Sequence, residues 1–251
     1  LHPILFELGP ITLRSYGAFM ALSFVAGIWL ALRLNRRAGR PDDAMLDLAT
    51  VIMLGAVVGA RALYVIVQWP SYAADPLSIL KVWEGGLVYY GGLIGAGISA
   101  YAWLRAKGMP AWAYGDAVAP GLALGQVTGR LGCWFNGCCY GREDHAHGVI
   151  FPSLMDGVPR LPVMLYEAAF CLALSAGLYL FWARRRFDGQ VFWLYVTLYA
   201  LWRFGIEFLR GDPERGVLVS ASLSPSQWIS AAGVGLAAFM LQRLARSAKA
   251  A

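Results

Sequence analysis

Residues 129–141 read Gly-Arg-Leu-Gly-Cys-Trp-Phe-Asn-Gly-Cys-Cys-Tyr-Gly, which sets an arginine, an asparagine and three cysteines where an apolar segment ends. A guanidinium near the centre of a bilayer costs roughly 2.5 to 3.5 kcal/mol on insertion scales, so an arginine there is paired or holds an anionic ligand. Whether Arg130 meets lipid depends on its surroundings, and composition answers. The chain is 59% hydrophobic and 14% charged, with 10 Trp in 251 residues, too apolar for an ordinary soluble domain. Seven segments of about 20 residues, each able to cross a core of about 30 Å at 1.5 Å per residue, lie near residues 15–34, 48–68, 85–104, 114–134, 163–182, 190–209 and 226–242. The expected fold is an all-α integral membrane protein, one polytopic domain over residues 1–251 with seven transmembrane helices.

Charge orients the bundle, because basic short loops stay in the cytoplasm. Arg33, Arg36, Arg37 and Arg40 follow the first span, Arg105 and Lys107 the third, Arg184, Arg185 and Arg186 the fifth, and Arg243, Arg246 and Lys249 the seventh. Those are 12 of the 21 Lys and Arg. Arg14, Lys81, Arg142, Arg160, Arg210 and Arg215 fall on the other side. The amino terminus is therefore expected outside and the carboxyl terminus in the cytoplasm. The net charge of +6 is a topology signal that also suits anionic lipid headgroups, and nothing reads as a nucleic-acid-binding module. Residues 1–14 lack the basic start and apolar core of a cleavable signal peptide. The larger polar insertions, about residues 135–162 and 210–225, fall on the outer side with the segment 69–84, where they would form a small head carrying a binding or catalytic site.

Glycines four apart, at Gly55 and Gly59, Gly91 and Gly95, and Gly121, Gly125 and Gly129, let membrane helices approach closely. Gly85, Gly86, Gly91 and Gly92 bracket Tyr89 and Tyr90 so densely that an irregular helix start is expected there, tolerated at membrane depth only where it is buried or lines a cavity. At the end of the sixth span, Arg203, Glu207 and Arg210 are spaced by four and three and share one helical face. An intrahelical ion pair with a snorkelling arginine would explain them. With Arg61, Asp116 and Arg130 they would instead build a net positive, partly desolvated cavity for a phosphate, which arginine forks match.

Ser15-Tyr16-Gly17, Gly59-Ala60-Arg61 with Tyr64, the run Gly85 to Gly95, the run Gly129 to Gly141, Pro162 with Leu165-Tyr166-Glu167, Arg203 to Arg210 followed by Gly211-Asp212-Pro213, and Ser226-Gln227 occur in the order seen in a known family. In these motifs the chain resembles the prolipoprotein diacylglyceryl transferases over nearly its whole length. The resemblance implies an enzyme of the bacterial inner membrane, its site facing the periplasm. It would move the diacylglyceryl group of phosphatidylglycerol to the lipobox cysteine thiol of a preprolipoprotein, forming a thioether and releasing glycerol 1-phosphate, with no cofactor. It further implies that Arg130 and Arg203 grip the phosphate and its developing charge. Glu207 would orient Arg203 or act as base, and Tyr16 would hold the lipid headgroup. Arg61, Gly91, Gly92, Asn136, Gly137, Gly141 and Arg210 would complete the substrate site.

Three positions depart from the best-known form of that family. Tyr90 stands where a histidine is usual, and a phenol is a poor base at neutral pH, so a histidine-base mechanism does not carry over. Tyr90 is the milder candidate, a hydrogen-bond donor to phosphate or thiol. Cys133 and Cys138 stand where an asparagine and a glutamate are typical. Cys133, Cys138 and Cys139, with His145 and His147, lack paired C-x-x-C spacing, so no metal is expected. A disulfide remains open, as does a covalent role, while Cys171 reads as a packing residue. A phospholipid-binding relative without activity is the alternative function. A transporter is disfavoured by the absence of a visible inverted repeat.

Overall fold

The computed structural model describes residues 4–8, 11–73, 75–211 and 223–250. Asp212, Pro213 and Arg215, named above, lie outside them. The chain is mostly helical: α1 (Ser15–Arg37), α2 (Asp42–Val67), α3 (Trp69–Ala73), α4 (Tyr89–Ala106), α5 (Ala111–Asn136), α6 (Val163–Trp182), α7 (Gln190–Ile206) and α8 (Pro225–Ala250). Among the described residues four helices are long and apolar enough to cross a membrane, α1, α2, α6 and α8. α7 is shorter, at 17 residues. α4 and α5 are diluted by glycine, tyrosine and charge. Two small antiparallel ribbons, β1 (Ile4–Leu8) with β2 (Ile11–Arg14) and β3 (Val149–Ile150) with β4 (Pro159–Arg160), add to the helical expectation.

The chain folds as two compact units, residues 35–114 and residues 1–34 with 115–251. In the first, α2 begins six residues before the expected span. Pro41 precedes it, and Asp42 and Asp43 in its first turn complement the positive end of the helix. α2 packs on α4 through facing glycines: a Cβ at Gly59 would strike the Gly91 carbonyl and the Gly95 backbone, and one at Gly55 would strike Ser99. The irregular approach to α4 is present as well. Gly85 and Gly86 take positive φ (90° and 73°), and the helix starts only at Tyr89.

In the second unit α1 lies against α5 in the same manner. Gly27 faces Gly121, Ser23 faces Gly125, and the Ser23 hydroxyl accepts from Thr128 at 2.8 Å. α6 joins α5 through Ser175, whose hydroxyl donates to the Pro120 carbonyl at 2.8 Å, and joins α7 through the stacked rings of Phe170 and Trp202. α7 packs in turn on α8. Asp116, grouped above with the phosphate site, does something else. Gly189, at the N-cap of α7, has no side chain to receive that helix's first N–H groups. The buried Asp116 carboxylate does so from α5, accepting from Gly189 and Phe192, both at 2.9 Å. It caps α7 at the end opposite Arg203.

Candidate active site

The 129–141 run forms the end of α5 and the reversal after it. Gly137, at φ 72°, takes the left-handed conformation that closes a helix, and the N–H groups of Gly137 and Cys138 return to the carbonyls of Trp134 and Cys133, each at 3.1 Å. Asn136 is the last residue of the helix. Beyond it, Gly141 donates to the Leu161 carbonyl at 2.8 Å and forms an isolated antiparallel bridge with Arg210. The surroundings of Gly141 leave no room for a Cβ, because the Leu209 carbonyl, Val163 and Leu161 occupy it. Gly141 and Arg210, expected in one site, are thus neighbours.

Arg130 Nη2 donates to Glu167 Oε1 at 2.7 Å, and the same oxygen accepts from the Tyr199 hydroxyl at 3.0 Å. Glu167 is 1% exposed, and its second oxygen has no hydrogen-bond partner among the described residues. One turn beyond Tyr199 on α7 comes Arg203, whose Nη2 meets Glu207 Oε2 at 2.7 Å. The other Glu207 oxygen accepts from Ser224 at 2.8 Å, and Ser224 is itself held by Gln227, whose Oε1 accepts its N–H at 2.9 Å. Arg203 Nη1 is buried without a hydrogen-bond partner among the described residues. A guanidinium fixed along one edge by a carboxylate, with a buried donor left over, is set to receive an anionic oxygen. Tyr16, in the first turn of α1, lies within electrostatic reach of Arg130 and of Cys133, Cys138 and Cys139.

The four cysteines are free thiols in this structure. The Sγ atoms of Cys133, Cys138 and Cys139 lie within 4.8 Å of one another. Hydrogen bonds from Cys133 and Cys138, helped by the Arg210 guanidinium, push the Cys139 thiol well below its ordinary range. Cys171 packs inside α6, with its thiol 3.5 Å from Gln126 Oε1. His145 and His147 are exposed in the turn beyond Glu143.

Within residues 35–114, Arg61 is buried and gives all five of its N–H donors to backbone carbonyls, those of Ser78, Ile79, Lys81, Gly85 and Gly86, at 2.7 to 3.3 Å. Tyr64 and Tyr72 flank it and, with Gln68 and Ser71, line a cleft of about 290 Å³. Tyr90 is half-buried in the first turn of α4, edge-on to Tyr89. Gly91 packs against Gly59 and Leu63, and Gly92 against Ala56 and Ala60.

Two residues of the arginine network escaped the sequence reading as site residues, Glu167 and Tyr199. Glu167 had a signal of its own, a lone carboxylate inside an apolar span. Tyr199 shares its spacing of four with Arg203 and Glu207.

Two arginines, each paired with a carboxylate, one at Glu167 and the other a turn beyond Tyr199 at Glu207, suit a phosphate. Comparison with known proteins agrees with that chemistry. The family model described as prolipoprotein diacylglyceryl transferase matches residues 3–243. The chain is 36% identical over 236 residues to the phosphatidylglycerol--prolipoprotein diacylglyceryl transferase of Clostridium tetani, covering 92% of each chain. It is 35% identical over 255 residues to that of Solidesulfovibrio magneticus, covering 97% of this chain and 94% of the relative. The Bacillus licheniformis protein of the same name is 34% identical over 239 residues, covering 92% of this chain and 87% of the relative. The chain belongs to the prolipoprotein diacylglyceryl transferase family. The family match takes in both compact units and every residue of the arginine network.

Proposed function

We propose that this protein transfers the diacylglyceryl group of phosphatidylglycerol to the thiol of the lipobox cysteine of a preprolipoprotein. A carbon–sulfur bond forms, the bond between that carbon and the phosphate oxygen breaks, and glycerol 1-phosphate leaves. The observation that carries this reading is Arg203, held by Glu207 on one edge and offering on another a buried Nη1 that has no hydrogen-bond partner among the described residues. Charge grows on the phosphate as the bond breaks, and a preorganised donor in a dry site stabilises that charge most. Arg130, anchored by Glu167, is the second phosphate ligand.

Glu207 acts by orienting Arg203, since both its oxygens are engaged, by Arg203 and Ser224. Tyr16, Asn136, Gly137, Gly141 and Arg210 border the headgroup. Arg61 shapes the segment leading into α4, with Gly91 and Gly92 setting how closely that helix packs on α2. The chain is a single polytopic domain that crosses the bacterial inner membrane seven times, amino terminus outside and carboxyl terminus in the cytoplasm, with the site toward the outer face. That topology rests on the basic loops and apolar runs. Mass spectrometry of a lipobox peptide incubated with purified protein and phosphatidylglycerol tests the activity. A diacylglyceryl mass gain on the cysteine peptide and not on its Cys→Ser counterpart supports it. No gain from folded, lipid-bound protein overturns it in favour of a binding-only relative.

A further inference from the structure

The end of α5 gathers three thiols that the arginine network does not use. Cys133 sits on the last turn of the helix, and Cys138 and Cys139 follow the Gly137 reversal. Their sulfurs lie within 4.8 Å of one another, and no His, Asp or Glu joins the group among the described residues. Cys139 reaches the group from a left-handed backbone, φ 65°, which a side chain with a Cβ adopts at a cost and which gathers at functional sites. The walls around the thiols are apolar: Cys133 clusters with the buried Phe151 and Met164, and Trp134, Tyr140 and Leu165 pack against them.

We propose that Cys133, Cys138 and Cys139 form a three-thiolate site for a soft metal ion of the zinc class, with its fourth position open to the substrate thiol. With zinc–sulfur bonds of about 2.3 Å, sulfurs in a tetrahedral site stand roughly 3.8 Å apart, so an ion would need only small side-chain movements to close the trio. Thiolates select zinc or copper(I) over hard cations. Three protein ligands and a vacant position is the pattern of a catalytic centre, whereas structural zinc sites are closed by four. Three thiolates and one divalent ion leave one negative charge, and the cations to balance it are at hand. Arg130 interacts electrostatically with Cys133 and Cys139, and Arg210 with Cys139.

The catalytic half of the proposal rests on the transferase reading. A thiol that takes the open position gives its proton to solvent and becomes a metal-bound thiolate. Its sulfur then attacks the glyceryl carbon, and the carbon–oxygen bond electrons leave with the phosphate toward Arg203. A metal-held thiolate would replace the base that Tyr90 does not provide.

Metal binding is measured apart from turnover. Reduced, metal-free protein in detergent is titrated with Co²⁺ alone, then with lipobox peptide in the absence of phosphatidylglycerol. The expected result is about one ion per chain, with thiolate-to-cobalt charge-transfer bands and the strong visible bands of a tetrahedral site. Cys133→Ser, Cys138→Ser and Cys139→Ser each weaken binding by about 100-fold or more, beyond what loss of a hydrogen bond to a metal ligand costs, while Cys171→Ser does not. The cysteine peptide shifts the bands and its Cys→Ser counterpart leaves them unchanged. Absence of bands from wild-type protein whose thiols still react with alkylating reagent overturns the site. So does a chain two hydrogens light across residues 133–139, which is a disulfide. Bands indifferent to the peptide overturn the thiol-activating role. Bands that respond to peptide without any later turnover uphold the site and sink the transferase reading, and full turnover in chelator without bands does the reverse.

Discussion

Arg130 and Arg203 differ in what their removal leaves behind. Taking Arg203 to alanine removes a donor aimed at developing charge, and kcat should fall about 100- to 1000-fold while the protein still inserts, as assayed by peptide lipidation on purified membranes. Arg130→Ala should also abolish turnover, and it strands Glu167, 1% exposed, with the Tyr199 hydroxyl as its hydrogen-bond partner. Breaking a buried pair on one side costs about 3 to 5 kcal/mol, because a charge is left uncompensated. Adding Glu167→Gln to Arg130→Ala should therefore restore most of the thermal stability in detergent and none of the activity. A double variant no more stable than the single would mean that Glu167 contributes packing and not charge. The sequence made Arg130 and Arg203 legible because arginine at membrane depth always needs a reason. It hid their partners, because a carboxylate on a neighbouring span becomes a partner only when helices pack.

At the scale of elements, apolar runs located the helices, and local chemistry moved their ends. α2 starts early because Pro41 and two aspartates favour a helix start there, and α4 starts late because Gly85 and Gly86 take positive φ. The β1–β2 ribbon also had a signal, alternating Ile4, Phe6 and Leu8 before Gly9-Pro10. Asp116 was misplaced for a different reason: a buried carboxylate caps a helix or serves a site equally well until the partner helix is known. Asp116→Ala should cost about 1 to 2 kcal/mol of stability, as loss of an N-cap does, and leave turnover per folded molecule unchanged. A drop in kcat at full stability would return Asp116 to the site. The α2–α4 contact is less forgiving. Gly59→Leu places a side chain against the Gly91 carbonyl and the Gly95 backbone, where neither can yield, so overpacking should lower stability by about 1 to 3 kcal/mol or more. Faster proteolysis between residues 69 and 88 would report the loosened pair, and an unchanged cleavage rate would refute the packing role.

For the whole molecule the open quantity is how often the chain crosses the bilayer, and parity makes it measurable. If only α1, α2, α6 and α8 crossed, both ends of the chain would share one side, and the Arg105–Lys107 turn would lie outside with all of residues 69–162. If α4, α5 and α7 cross as well, that turn and the basic end of α8 both return to the cytoplasm. The shorter or more polar helices have a physical route across. α4 shields its glycine face against α2, and α5 and α7 hold the partly buried Arg130 and Arg203 in ion pairs with Glu167 and Glu207. A span that is marginal by hydropathy alone is then stable in company. Epitope tags inserted after Lys107 and after Arg246, probed by protease on intact spheroplasts, should both be protected, while a tag after His145 should be cleaved. Cleavage at Lys107 together with Arg246 would reduce the crossings to four and take two of the four basic clusters, the Arg105–Lys107 turn and the end of α8, out of the cytoplasm. The site would then have to be rebuilt without α5 and α7 as membrane helices.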